Sequence, residues 1–283
     1  MIVITGAGGG IGAAFARCAS NDGAALVLVG RRRENLERVA QALPSDRVMV
    51  CVADVADYSS LVRSREEILA KKGHVDILVN NAAVGYGGRL TDLSAEEIEY
   101  STKVNLVGPM WLTHMFLPLL RERSEAMLVN VVSLSGYLAM PFQSVYAAGK
   151  FGLRGFSESM SRELKGSNVH VLTAYPAAID TEMNTPEMRA RCLELGTRVS
   201  AIPASTAATQ LVRAIERNRS MVVLGSASDR LAPMIARFAP RIVDKLAEKM
   251  SPAMSEFARL STDWARHQRR SLPPRAGSVA KEL

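Results

Sequence analysis

Seven short runs of β-branched and aliphatic residues punctuate the chain as far as Leu224: Ile2 to Thr5, Ala25 to Val29, Val48 to Val52, Ile77 to Val79, Met127 to Val132, Val169 to Ala174 and Met221 to Leu224. Within each run the apolar residues are continuous rather than alternating, the pattern of strands covered on both faces. The intervals are longer and carry apolar residues at helical spacing, so each strand leads into a helix. Strands alternating with helices predict right-handed βαβ units, and seven of them predict a three-layer α/β fold around a doubly wound parallel sheet, a Rossmann fold.

The rhythm stops after Leu224. A sheet domain over residues 1–226, a C-terminal helical extension over 227–268 and a polar, Pro- and Gly-containing tail over 269–283, expected to be disordered, follow from that break. In the extension Leu231, Ile235, Phe238, Ile242 and Leu246 recur on one helical face, and Arg237, Arg241, Lys245 and Lys249 form a row on another. Pro240 is expected to kink or split the helix. The apolar row is expected to dock on the chain's own domain or on a second copy; peripheral contact with an anionic membrane through residues 228–250 is the alternative.

Charge sharpens this division. The net charge is +7, yet residues 230–283 hold 11 Lys and Arg against 5 Asp and Glu, while the rest is balanced at 24 against 23. Basic residues interleaved with acids, without a recognised nucleic-acid motif, argue against a nucleic-acid partner. Three scattered cysteines, Cys18, Cys51 and Cys192, supply neither a disulfide framework nor metal-ligand spacing. No apolar run reaches the roughly 18 residues needed to cross a bilayer, and the opening MIVITGAGGG has no basic segment before it, so a cytoplasmic protein is expected.

The candidate chemistry begins at Thr5-Gly6-Ala7-Gly8-Gly9-Gly10-Ile11-Gly12, directly after the first strand and opening a helix. Glycines there admit positive φ and remove the Cβ, so backbone N–H groups and a helix N-terminus can approach a pyrophosphate. At the end of the second strand Gly30 stands where a carboxylate would grip the 2′-hydroxyl of NAD, and Arg31, Arg32 and Arg33 follow. A missing carboxylate beside guanidinium groups favours a 2′-phosphate, hence NADP(H), with NAD(H) as the alternative.

Taken together, TGAGGGIG at 5–12, NNAA at 80–83, Asn105, Ser133 and YAAGK at 146–150 resemble the short-chain dehydrogenase/reductase family, in order and spacing, over about residues 1–225. The serine lies 13 residues before the tyrosine, as in the family pattern. The resemblance implies an NAD(P)-dependent oxidoreductase that assembles as a homodimer or homotetramer. It implies that Gly6, Gly10, Ile11 and Gly12 form the phosphate turn, and that Asp54 hydrogen-bonds the adenine with Val55 in the same site. It also places Asn81 and Ala82 beside the cofactor, with Pro176, Ile179 and Thr181 at its nicotinamide end. Ser133, Tyr146 and Lys150 become the catalytic set, Lys150 also holding the ribose, and Asn105 links Lys150 to solvent through a water. Three positions depart from the pattern: Ala83 and Ala177 where glycine is common, and Gly149 where serine is common.

Tyr146 and Lys150 lie four apart in a stretch read as a helix, Ser144 to Leu164, so both project from one face. A tyrosine of ordinary pKa about 10 needs roughly 4 kcal/mol of preferential phenolate stabilisation to act near neutrality, which a neighbouring ammonium can supply. Leu138 to Phe142, and residues 182–202 with Met183, Met188, Leu193, Leu195, Val199 and Ile202, are expected to border an apolar substrate pocket. The reading is an NADPH-dependent reductase of apolar ketones, lipid or long-chain acyl compounds among them. A non-catalytic nucleotide sensor and an NAD-dependent alcohol dehydrogenase are the alternatives.

Overall fold

The computed structural model describes residues 1–270. Seven parallel strands form the main sheet: β1 (Ile2–Thr5), β2 (Leu26–Gly30), β3 (Val48–Val52), β4 (Ile77–Asn80), β5 (Ala126–Val131), β6 (Val169–Pro176) and, after two short strands, β9 (Met221–Leu224). Their order is β3-β2-β1-β4-β5-β6-β9, so the chain winds outward from β1 in both directions and reverses between β1 and β4. In such a sheet the crevice for a ligand opens beyond the carboxyl ends of β1 and β4.

The continuous apolar runs explain the layering. Val3, Val27, Leu78 and Leu128 face one core cluster, and Ile2, Leu26, Leu28, Val79 and Val129 face the other. The first is covered by α3 (Tyr58–Lys72), α5 (Gly108–Arg121) and α6 (Ser144–Glu163), the second by α1 (Gly10–Asn21), α2 (Arg33–Ala40) and α8 (Ala204–Glu216). Local chemistry sets helix ends: Asp57 Oδ1 accepts from Ser59 N at 3.0 Å and caps α3, which stops at Gly73 in the left-handed region. A capping box of Ser94 and Glu97 opens α4 (Ala95–Thr102).

Two features go beyond the sequence reading, and the bounds of the extension shift. A π-helical turn over Lys103–Val107, which carries Asn105, joins α4 to α5. Two extra strands, β7 (Ile179–Asp180) and β8 (Ile202–Pro203), pair in parallel to bracket α7 (Pro186–Glu194). The extension splits at Pro240 as expected, into α9 (Ala232–Phe238) and α10 (Pro240–Arg270). Arg269 and Arg270 therefore belong to α10 rather than to the tail; the disorder expected of 271–283 falls outside the described residues.

The docking face needs a correction. Leu231, Ile235, Phe238, Ile242 and Leu246 stay exposed, and the extension packs through a different face further on, where Ala253, Met254, Ala258, Ser261, Thr262 and Ala265 are buried. Close backbone approach drives this contact. A Cβ at Gly85 would stand 2.7 Å from Ser261 Oγ, and one at Gly87 would stand 2.9 Å from Ala258 Cβ. Thr262 Oγ1 both accepts from Gly87 N (2.7 Å) and donates to Gly87 O (2.6 Å). Arg266 pairs with Glu97, whose carboxylate also closes the capping box of α4.

A buried polar chain crosses from the sheet to α6. Asn80 Nδ2 donates to Asn130 Oδ1 (2.9 Å), Asn130 Nδ2 donates to Ser157 Oγ (2.9 Å), and Ser157 Oγ donates to Leu153 O (2.7 Å). Replacing Asn130 by Leu leaves buried partners unpaired, and the expected cost is about 1–3 kcal/mol. A lower urea midpoint with an unchanged m-value checks this; an unchanged midpoint contradicts it.

Candidate active site

One continuous cleft of about 550 Å³ runs along the carboxyl ends of the strands. Its wall carries, from one end to the other, Arg31, Arg32, Asp54, Val55 and Tyr100; then the glycine loop with Asn81 and Ala82; then Ser133, Tyr146, Lys150, Pro176, Ile179 and Thr181. The apolar end holds Leu138, Met140, Met183, Val199, Leu246, Met250, Met254 and Phe257.

The glycine loop has the geometry that a phosphate cradle requires. Gly6 (φ +66°) and Gly10 (φ +51°) adopt the left-handed region. Thr5 Oγ1 accepts from Asn81 N (2.9 Å) and Ala82 N (3.0 Å), and Asn81 Nδ2 donates to Thr5 O (2.8 Å), locking the β1 and β4 turns together. Gly12 does not border the cleft: a Cβ there would stand 2.4 Å from Gly6 O, so this glycine lets α1 pack under the loop. The Glu182 carboxylate lies over Gly9, whose Cβ would meet it at 2.8 Å.

At the adenosine end of the expected cofactor, Arg31 donates to the Tyr100 hydroxyl and Arg32 to Gln268 Oε1 of α10. Burial lowers the pKa of Arg32, opposed by the nearby Glu182 carboxylate. Arg269 stacks over the Tyr100 ring at 4.7 Å. The end of α10 thus reaches the Arg31 and Arg32 end of the cleft.

Burial governs the group of Ser133, Tyr146 and Lys150. Lys150 is 1% exposed, its Nζ donating to Val131 O at 3.1 Å and lying 5.7 Å from the Tyr146 ring centre. Desolvation holds its pKa down at about 7. Burial raises the Tyr146 phenol, and a hydrogen bond with Ser133 pulls the other way. Ser133 Oγ also accepts from Ser135 N at 3.0 Å, which fixes the hydroxyl at the end of β5.

Asn105 is fully buried behind the cleft rather than on its wall. It donates to Val84 O (2.8 Å) and accepts from Val84 N (3.2 Å), bracing the segment after β4. Gly149 explains itself by this contact, since a Cβ there would stand 3.0 Å from Asn105 Cβ. Ala83 and Ala177 both stand on the cleft wall.

The substrate segments are met in part. Met183 and Val199 border the cleft, Met188 is buried outside it, Ile202 joins the core, and Leu193 and Leu195 face solvent. Sequence reading missed the contribution of α10, which runs along the cleft from Leu246 to Trp264. The available signal was the helical spacing of Met254, Ala258, Ser261, Thr262 and Ala265, of which the small Ala258, Ser261 and Thr262 lie opposite Gly85 and Gly87. It also missed Asn184, on the cleft wall and 7% exposed, with no partner for Oδ1.

A glycine cradle, a cleft long enough to pass from arginines to a Ser-Tyr-Lys set, and an apolar end define an oxidoreductase that works with a dinucleotide. Residues 1–191 match the family model described as short chain dehydrogenase. The chain is 30% identical over 262 residues to the Bos taurus dehydrogenase/reductase SDR family member 7B, covering 87% of this chain and 79% of that one. Among solved structures it is similar to a Burkholderia phymatum short-chain dehydrogenase/reductase in complex with NAD (26% identity, 87% of this chain and 94% of that one, TM-score 0.75). A Thermococcus sibiricus alcohol dehydrogenase complexed with 5-hydroxy-NADP is also similar (26% identity, 80% and 96%, TM-score 0.70). The chain belongs to the short-chain dehydrogenase family and is an NAD(P)-dependent oxidoreductase.

Because folded Lys150 titrates near 7 and an unfolded lysine near 10.4, the unfolded chain binds more protons between those values, and this residue's contribution to stability rises with pH across that window. The difference in unfolding free energy between wild type and Lys150→Met is expected to grow in favour of wild type from pH 7 to pH 10. Parallel stability curves contradict it.

Proposed function

We propose that the protein reduces the ketone of an apolar, long-chain substrate to an alcohol with NADPH, through Ser133, Tyr146 and Lys150. The observation that carries this reading is the arrangement of one cleft: guanidinium groups at one end, the Ser-Tyr-Lys set in the middle, and a methionine-rich apolar wall beyond. Apolar walls with a few convergent polar groups suit a substrate that is held by burial and oriented at one oxygen. Four methionines on that wall, Met140, Met183, Met250 and Met254, fit a flexible chain better than a rigid ring system.

When bound, the cofactor supplies a hydride to the carbonyl carbon. Tyr146 donates its phenolic proton to the carbonyl oxygen, and the Ser133 hydroxyl donates a hydrogen bond to that oxygen as negative charge gathers there. Lys150 holds a positive charge beside the phenolate that Tyr146 becomes. Its pKa near 7 means that hydrogen-bond acceptors in the cleft, such as ribose hydroxyls, favour its charged form and thereby ease the proton off Tyr146. Asn105 serves as a positioning residue through Val84 and Gly149.

NADPH is preferred in this reading because Gly30 offers no carboxylate and Arg31 and Arg32 both border the cleft. Arg31→Ala with Arg32→Ala is expected to weaken NADPH binding by tenfold or more, the loss of about 1.5–3 kcal/mol of charged hydrogen bonds, with NADH binding nearly unchanged. Fluorescence titration with both nucleotides reads this, and equal losses for both contradict it.

The test of the whole reading is a panel of ketones of increasing chain length with NADPH, comparing wild type and Tyr146→Phe. Long-chain ketones are expected to turn over in wild type, and the variant is expected to lose about two to four orders of magnitude in kcat while binding NADPH as before. Turnover retained in Tyr146→Phe, or none with any ketone, overturns it.

A further inference from the structure

Among the described residues, thirteen large apolar side chains are exposed, and six of them fall within residues 231–246: Leu231, Met234, Ile235, Phe238, Ile242 and Leu246. Phe238 is 74% exposed and Ile242 60%. Monomeric surfaces rarely gather such side chains unless something covers them. Leu231 immediately precedes α9, and the others sit on α9 and the first turns of α10, before the part of α10 that packs on the domain.

The charges on the same segment behave differently from those further along. Arg259 and Arg266 are spent on Glu256, Asp263 and Glu97. Arg230, Arg237, Arg241, Lys245 and Lys249 are all exposed and, among the described residues, make no ion pair. Only Asp244 and Glu248 oppose them over residues 230–250, leaving that segment at +3. A second copy of the chain seated on this face would bring two such sets of cations together, which protein interfaces avoid. An anionic lipid surface accepts both halves of the pattern: the apolar side chains enter the headgroup boundary and the cations meet the lipid phosphates.

The segment is also continuous with the cleft. Leu246 is 48% exposed and at the same time lines the apolar end, and Met250, one turn on, lines it as well. The exposed apolar stripe therefore runs along α10 into the cleft wall.

We propose that α9 and the start of α10 dock the protein on an anionic membrane surface and open the apolar end of the cleft toward the lipid. An apolar substrate then passes from bilayer to cleft along Leu246 and Met250 without crossing water. The delivery role rests on the ketone-reductase reading above; the docking itself does not.

Flotation of the full chain with vesicles of phosphatidylcholine alone, or of phosphatidylcholine with phosphatidylglycerol, tests the proposal. The protein is expected to float with the anionic vesicles and to stay behind with the neutral ones. Neutralising three cations together (Arg237→Gln, Arg241→Gln, Lys245→Gln) is expected to lower partitioning about a hundredfold, at about 1 kcal/mol for each cation. Phe238→Asp with Ile242→Asp is expected to abolish flotation while leaving the melting temperature unchanged, since both side chains are exposed. No flotation of wild type at low salt overturns the proposal. So does a wild-type dimer that the Phe238→Asp, Ile242→Asp variant splits while wild type ignores the vesicles, for then the face joins two copies. Flotation is read without cofactor or substrate: a chain that floats but reduces no ketone rejects the functional reading alone, and one that reduces a ketone but never floats rejects the docking alone.

Discussion

The site depends on keeping a lysine in a place almost without water. Lys150 can be held there because α6 is fixed to the sheet by apolar packing and by the Asn80–Asn130–Ser157 chain, and because Val131 O accepts from its ammonium. The same burial that brings its pKa close to neutrality pushes the Tyr146 phenol upward, because desolvation disfavours the charged form of each.

The glycine loop and the cleft follow from the sheet's winding. Reversal of direction between β1 and β4 opens the crevice, and Thr5 and Asn81 tie its two lips together from opposite strands. Gly12 contributes from beneath, by letting α1 come within reach of the loop's carbonyl. Apart from the Thr5–Asn81 tie, each piece is the local consequence of a strand ending and a helix beginning.

That locality decided what could be read in advance. The seven strands lie within a residue or two of their apolar runs, because strands buried on both faces leave no room for another pattern. Ser133, Tyr146 and Lys150 were legible by spacing and meet in one cleft, whereas Gly12 sits behind it against the Gly6 carbonyl and Asn105 behind it against the Val84 backbone. The docking of α10 was misread for a physical reason: Ala258, Ser261 and Thr262 are small and weakly apolar, and their value lies in how closely they approach Gly85 and Gly87. The larger Leu231 to Leu246 row carries the stronger hydropathy signal and is the part left outside. β7 and β8, of two residues each, are too short for periodicity to mark.

The central claim is that this cleft moves a hydride from a nicotinamide to an apolar ketone, and labelling follows that atom directly. With NADPH deuterated at the transferring position and a long-chain ketone, the account predicts an alcohol carrying one deuterium on its carbinol carbon, and none formed by Tyr146→Phe. An alcohol without the label, or labelled product made equally well by the variant, contradicts it.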